Sequence, residues 1–364
     1  MTATPTAIAD IFVTPTAWGD ADPARQDQVL RQAVRGGLVA SLGRRLAVVP
    51  AVLPAGVCDR FKAADVVAAE HERRLRFGLR LARQVFAGSD IPVIVLKGGA
   101  YLLGGFPNAA GRLTSDLDLL VPEQHLAAAE QLFLAAGWES DTGDDYDEQY
   151  YREWMHELPP LLHPHHGVTI DLHHNLSPRT GRLHIDAAGL FTRAVPLGGD
   201  TPFLRLADED LVLHLCIHLF HDGEFQYGLR ELLDLDGVLR HCARAADFWP
   251  RLLDRATELG LLRPLYYGCH FSAALLDAPV PDAVSRQLAD ATPRTPGQRL
   301  AQAAMATCLL PLAGDAPTPS RRLAEGMLLL RAHWLRMPPG LLLRHLLTQA
   351  RRRGGLKTKE GARR

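Results

Sequence analysis

Two aspartates separated by a single residue, Asp116 and Asp118, open the run Asp-Leu-Asp-Leu-Leu-Val that ends at Val121. The run reads as a strand, and residues two apart in a strand share a face. Both carboxylates then project together, with Cα atoms roughly 7 Å apart, while Leu117, Leu119 and Val121 turn into a core. Carboxylates held side by side repel unless a cation lies between them. Hard oxygen ligands of this kind suit Mg²⁺, with Mn²⁺ as its substitute, bound through carboxylates and substrate phosphates. A lone pair of this spacing is also the pattern of a solvent-facing acidic strand end, so its neighbours decide its meaning.

Those neighbours favour phosphate chemistry. The apolar run Ile91-Pro92-Val93-Ile94-Val95-Leu96 predicts a buried strand, closed by Lys97-Gly98-Gly99. Glycines let backbone N–H groups approach phosphate oxygens. The chain has 40 Lys and Arg residues, of which only Lys62, Lys97, Lys357 and Lys359 are lysine. In a protein that uses arginine by default, Lys97 suggests a site that wants a point ammonium. Arg112 adds charge, and Ser115 stands directly before the acidic pair. A third acid, Asp171, interrupts the apolar run Val168-Thr169-Ile170-Asp171-Leu172, and a buried acid needs a partner that a shared metal would supply. Strand alternation puts His173 on the face of Asp171, where it could orient a substrate. His214, His218 and His221 recur on one helix face, read as a polar face toward a cleft; with no HExxH, zinc is disfavoured. Arg230 and Asp234 have the spacing of an intrahelical ion pair, or of a nucleotide contact from a second domain.

The segments Leu96-Lys97-Gly98, Phe106-Pro107, Arg112 and Asp116-Leu117-Asp118-Leu119-Leu120-Val121 together resemble the signature of the uncharacterised bacterial nucleotidyltransferase family within the DNA polymerase beta superfamily. The resemblance continues at Ile170-Asp171-Leu172-His173, at Leu213-His214-Leu215-Cys216-Ile217-His218 and at Leu229-Arg230 through Asp234, covering roughly residues 30–245. The stretch from Gly99 to Asp116 is longer than the superfamily's usual spacing. The resemblance implies that Asp116, Asp118 and Asp171 hold the metal and that Asp171 helps deprotonate an acceptor hydroxyl. It implies phosphate contacts from Gly98 and Gly99, and neutralisation of the triphosphate by Lys97 and Arg112. Ser115, His173, His218 and Arg230 complete the expected nucleotide-binding set. The implied reaction is in-line attack on the α-phosphorus of an NTP such as ATP, with release of pyrophosphate. Two rival readings are a DxD glycosyltransferase using a nucleotide sugar and a non-catalytic nucleotide-binding protein. Kinase-type transfer has less support because no Walker or kinase motif is present.

The elements that must position these residues give an α+β protein: a polymerase-beta-like nucleotidyltransferase core with a small mixed sheet, between helical segments. The expected division is a loosely ordered N-terminus (1–23), an N-terminal helical segment (24–89), the α/β core (90–205), a helical domain (206–350) and a basic flexible tail (351–364). A helix over about 59–86 should bury Leu75, Leu79, Ala82 and Phe86, and the acidic stretch 139–148 reads as a solvated loop. A net charge of −1 argues against a general affinity for nucleic acid or membrane. Five scattered cysteines without a CxxC pair argue against structural zinc and disulfides. No secretory signal or membrane-length apolar run is seen, so a cytoplasmic location is expected. The acceptor is expected to be a small molecule or peptide hydroxyl bound between the core and the helical domain.

Overall fold

The computed structural model describes residues 7–49, 53–142, 145–198, 201–221, 223, 225–314, 316–344, 346 and 348. It is an α+β protein whose strands all fall between Ile94 and Arg205, with helices before and after them.

One mixed sheet carries the candidate site. Its strands are β1 (Ile94–Val95), β2 (Leu117–Leu120), β3 (Glu139–Ser140), β4 (Leu161–His163), β5 (Val168–His173), β6 (Val195–Pro196) and β7 (Leu204–Arg205), in the spatial order β3-β4-β5-β2-β1-β7-β6. The centre is a parallel pair, β2 and β5, in which Asp118 faces Asp171 and Leu120 faces His173. The run expected from Ile91 narrows to Ile94 and Val95. Pro92, which has no N–H to give a ladder, precedes the paired residues.

The period-2 pattern sorts the two faces of the sheet. Leu117, Leu119, Val121, Ile170 and Leu172 bury against a cluster with Leu75, Leu79, Ala82 and Phe86. Those four lie on or just past the long helix Ala55–Val85, and the stripe read from the sequence is the one buried. On the opposite face Ile94, Leu96 and Leu120 join a second cluster with Leu213, Leu232, Leu235 and Leu239. Asp118, Asp171 and His173 occupy the alternate positions that open toward those later helices.

The helices, in chain order, are α1 (Ala7–Val13), α2 (Ala17–Asp20), α3 (Pro23–Arg35), α4 (Val39–Leu46), α5 (Ala55–Val85), α6 (Lys97–Leu103), α7 (Leu126–Ala135), α8 (Asp145–Gln149) and α9 (Ala187–Arg193). They continue as α10 (Asp208–Phe220), α11 (Gly228–Cys242), α12 (Phe248–Glu258), α13 (Leu262–Leu276), α14 (Asp282–Ala291), α15 (Pro296–Cys308) and α16 (Pro319–Arg336). Asp208, Glu209 and Asp210 crowd the first turn of α10, where the helix dipole favours acids. Asp210 pairs with Arg255 of α12 at 2.6 Å and Glu209 with Arg193 of α9 at 3.0 Å, so one helix end ties the core to the helical region.

Two expectations need correction. Residues 7–20, read as loosely ordered, form α1 and α2, because Ile8, Ile11, Phe12 and Trp18 recur at helical spacing and bury in the core. The stretch read as a solvated loop over 139–148 begins with β3 and ends in α8, which runs into a π turn at Tyr150–Trp154. There Arg152 bonds both Glu130 and Glu148, which absorbs part of the acidity. After residue 340, Leu342 is buried, whereas Leu343 and Leu346 are exposed. The basic tail expected over 351–364 lies outside the described residues. Among the described residues no helix is long and apolar enough to cross a membrane.

Candidate active site

β2 and β5 deliver three acids and a histidine to one cavity of about 430 Å³. Asp118 is its buried centre. Its Oδ1 accepts from Lys97 Nζ at 2.7 Å and lies 3.1 Å from His173 Nε2. Both contacts end on the same oxygen, which leaves Oδ2 as the atom for any further cation. Burial alone would raise the Asp118 carboxyl, but Lys97 and His173 outweigh it and hold the group well below the usual carboxylate range. Burial would equally lower Lys97; the charge and hydrogen bond of Asp118 keep it above the ordinary lysine range instead.

Asp171 is in the opposite state. Burial, then the charges of Asp118 and Glu157, push its carboxyl up to about 7. Two neighbouring acids forced apart in this way are the mark of a site that either shares a proton or takes a cation. Asp116 stands at the start of β2, partly exposed, with the Ser115 hydroxyl donating to its Oδ1 at 3.2 Å. Carboxylates from adjacent strands, one destabilised by the charge of the next, form a donor set that fits a hard divalent cation.

His173 extends the acidic centre away from β2. Its Nδ1 lies 3.3 Å from Glu157 Oε2. Burial would lower this imidazole, but Glu157 and the bond to Asp118 raise it. Among the described residues, His156, Glu157 and His173 form the group whose ligand atoms all come within 4.8 Å of one another; the three aspartates are spread more widely. A group with two imidazoles and one carboxylate suits an imidazole-binding ion such as Zn²⁺ or Fe²⁺ better than Mg²⁺. Sequence reading missed Glu157 and His156. They precede the apolar segment that leads into β4, and the local signal is no more than a histidine and an acid side by side.

Lys97 pays a backbone cost for its place. It sits in the left-handed region at φ +41°, where side chains other than glycine's are strained. The glycines after it serve close packing. A Cβ on Gly98 would lie 2.8 Å from the Thr114 side chain and 2.9 Å from Arg112 Nη1, and one on Gly99 would lie 2.6 Å from Val95 Cγ1. Gly98 lines the cavity, whereas Gly99 is buried beneath it. The Cα of Gly99 packs against β1 and β2, and of the two glycines it is Gly98 that lines the cavity.

Arg112 is not a free cation either. Its Nε donates to Asp234 Oδ2 at 2.8 Å and its Nη1 to Thr114 Oγ1 at 2.7 Å, with the guanidinium over the Tyr101 ring. Asn108 donates to the other oxygen of Asp234 at 3.0 Å. Close approach of α11 to this loop depends on Gly237, where a Cβ would meet Asn108 Cβ at 2.8 Å. Asp234 is thus taken by Arg112 across 122 residues of sequence, and the intrahelical pair with Arg230 does not form. Arg230 instead stacks over Tyr227 at 4.3 Å, and its Nε is buried without a hydrogen-bond partner. Of the three histidines on and just past α10, His214 and His218 line the cavity and His221 does not. His218 lies 3.1 Å from Glu231. Burial, then Lys97, drive His214 well below the usual histidine range, so it is neutral.

The cavity therefore gathers Lys97, Gly98, Arg112, Ser115, Asp116, Asp118, Asp171, His173, His218 and Arg230 from the residues singled out in the sequence, and omits Gly99. It adds Tyr150, Tyr151, Met155, Glu157 and Arg336, which carried no motif. Comparison with known families is consistent with this arrangement: the model of a family described as uncharacterised nucleotidyltransferase matches residues 22–277. No match was found among curated proteins or solved structures.

Proposed function

This chain belongs to the uncharacterised nucleotidyltransferase family, and from that premise we propose that it moves a nucleoside monophosphate from an NTP such as ATP to a hydroxyl of a small molecule or peptide. The observation that carries the reading is the register of β2 on β5. It sets Asp118 beside Asp171, with Asp116 at the mouth, in the cavity that also holds Lys97, Gly98 and Arg230. Nucleic acid is a disfavoured acceptor for a chain of net charge −1, and a cytoplasmic setting would supply the donor.

In this reading the acceptor oxygen forms a bond to the α-phosphorus as the bond to the bridging oxygen of pyrophosphate breaks. The hydroxyl proton passes to Asp171, whose basicity burial and the charges of Asp118 and Glu157 raise in the metal-free site. Asp116, Asp118 and Asp171 would hold Mg²⁺, or Mn²⁺ in its place, which when bound supplies charge neutralisation for the triphosphate and the leaving group. Lys97 fixes Asp118 Oδ1, so that its second oxygen points one way. Arg230, with an unsatisfied Nε and its guanidinium at the cavity, is suited to the outer phosphates. His173, held between Asp118 and Glu157, keeps the wall beyond Asp171 rigid. A nucleotide sugar in place of the NTP finds less support, because the family matched is one of nucleotidyl transfer.

The test is thermal stabilisation by each NTP and by UDP- and GDP-sugars, with and without Mg²⁺ or Mn²⁺, in the wild type and in Asp116→Asn/Asp118→Asn. A ligand present at 100 times its dissociation constant adds about 2.7 kcal/mol. Metal-dependent stabilisation by an NTP that the double variant loses is the expected result. Stabilisation by nucleotide sugars alone would refute it.

A further inference from the structure

Arg336 is the last residue of α16, beyond the residues matched to the family, yet it lines the same cavity as Asp116 and Asp171. Its Nε is buried without a hydrogen-bond partner, and among the described residues no carboxylate pairs with it. Lys97 and Arg112, by contrast, are committed to Asp118 and Asp234.

The position is built rather than incidental. The Thr180 hydroxyl donates to the Arg336 carbonyl at 2.8 Å, and the Arg182 backbone N–H donates to the Leu335 carbonyl at 2.9 Å. The Arg182 guanidinium caps the Trp334 ring at 4.5 Å. The loop after β5 therefore holds the end of α16 at the cavity. A buried guanidinium N–H without an acceptor is costly, and an oxyanion answers it with charge-assisted, often bidentate, hydrogen bonds.

Sheet order says which substrate would bring that oxyanion. Lys97 and Gly98 follow β1, while Arg336 is tied through Thr180 to the Tyr150–Trp154 turn and to the segment beyond β5. β1 and β5 flank β2 on opposite sides, roughly 10 Å apart at the usual strand spacing. With the donor phosphates at the Lys97 end, Asp171 divides them from Arg336.

We infer that the acceptor carries an oxyanion, a carboxylate or a phosphate, which Arg336 binds while the acceptor hydroxyl lies at Asp171. This rests on the nucleotidyl transfer reading above. It makes Arg336 a specificity residue for the acceptor and not a donor contact.

The experiment fills the donor end first, with each of the four nucleotides as its α,β-methylene analogue plus Mg²⁺. Inorganic phosphate and acetate are then titrated separately while the melting temperature is followed, in wild type, Arg336→Gln and Arg336→Lys. At least one anion should stabilise the wild type saturably. Arg336→Gln should weaken that anion about tenfold or more, and Arg336→Lys should fall between, because an ammonium keeps the charge and loses the fork. Analogue affinity should be the same in all three proteins, which also shows that the variants fold. Phosphate or acetate, whichever acts, names the acceptor's charged group. Anion binding that is absent from wild type, or equal in Arg336→Gln, overturns the inference; so does a loss of analogue affinity in Arg336→Gln, which would move Arg336 to the donor. If no analogue stabilises even the wild type, it is the nucleotidyl transfer reading that fails.

Discussion

Replacing Asp171 with asparagine should make the metal-free protein more stable and the enzyme inactive. Asp171 lies in register with Asp118 and feels Glu157 as well, and burial with these charges lifts its carboxyl from 3.8 to about 7. A displacement of that size is worth on the order of 4 kcal/mol at 1.4 kcal/mol per tenfold change. A carboxyl whose value rises on folding favours the folded state at low pH. That contribution is fully present below the unfolded value near 4 and is lost as pH rises through the folded value near 7. Above that window the folded chain carries the whole repulsion. Asparagine removes the charge but must still desolvate its amide, so about half the penalty should return as stability, roughly 2 kcal/mol. For a chain of this size that is a rise of about 3 °C in melting temperature. The assay is thermal unfolding in excess chelator at pH 5, 7 and 8.5, with wild type and Asp171→Asn side by side. The gain should grow with pH, and added Mg²⁺ should stabilise the wild type more than the variant. An Asp171→Asn protein that is less stable at pH 8.5, or a difference independent of pH, would refute the reasoning. Nucleotidyl transfer by the variant should fall by about 10³-fold, the loss of a proton acceptor.

Three further outcomes are expected. Lys97→Met should leave Asp118 as a buried charge short of its main partner, at a cost on the order of 3 kcal/mol by denaturant unfolding, and should abolish metal-dependent nucleotide binding. Arg112→Ala and Asp234→Asn should each destabilise by roughly 2–4 kcal/mol, yet the double variant should lose far less than their sum, as a double-mutant cycle would show. Glu157→Gln should lower the titration midpoint of the His173 imidazole, followed by NMR. His173 is raised on folding, so its contribution is present below the usual histidine value and lost as pH rises through the raised one; removing Glu157 should move that loss to lower pH.

The part of the site legible in the sequence is the part that obeys a short repeat. Asp116 and Asp118 stand out because Leu117, Leu119 and Val121 alternate with them, and Asp171 because it interrupts an apolar strand. The α5 stripe was legible for the same reason at helical spacing. Strands β3, β6 and β7 span two residues each, too few to show any period. The Arg112–Asp234 pair was hidden by distance along the chain: Asp234 had a nearer arginine at a plausible spacing, and only the approach of α11 to the loop at Asn108 reassigns it. Tyr150, Tyr151 and Glu157 lie on a turn and a strand edge with no pattern of their own. Arg336 is one arginine among many, and nothing local marks the one whose carbonyl Thr180 holds.

The second face of the sheet has a practical consequence for dissecting the molecule. Ile94, Leu96, Leu120, Tyr101 and Phe106 are packed by side chains of α10 and α11. A fragment covering only residues 90–205 would turn that apolar face to water and strip Arg112 of its acid. It should come out insoluble even with every aspartate intact. The catalytic portion of this protein is not a portable cassette: swapping acceptor preference between relatives would require transplanting the helices with it, or altering the wall at Arg336 in place.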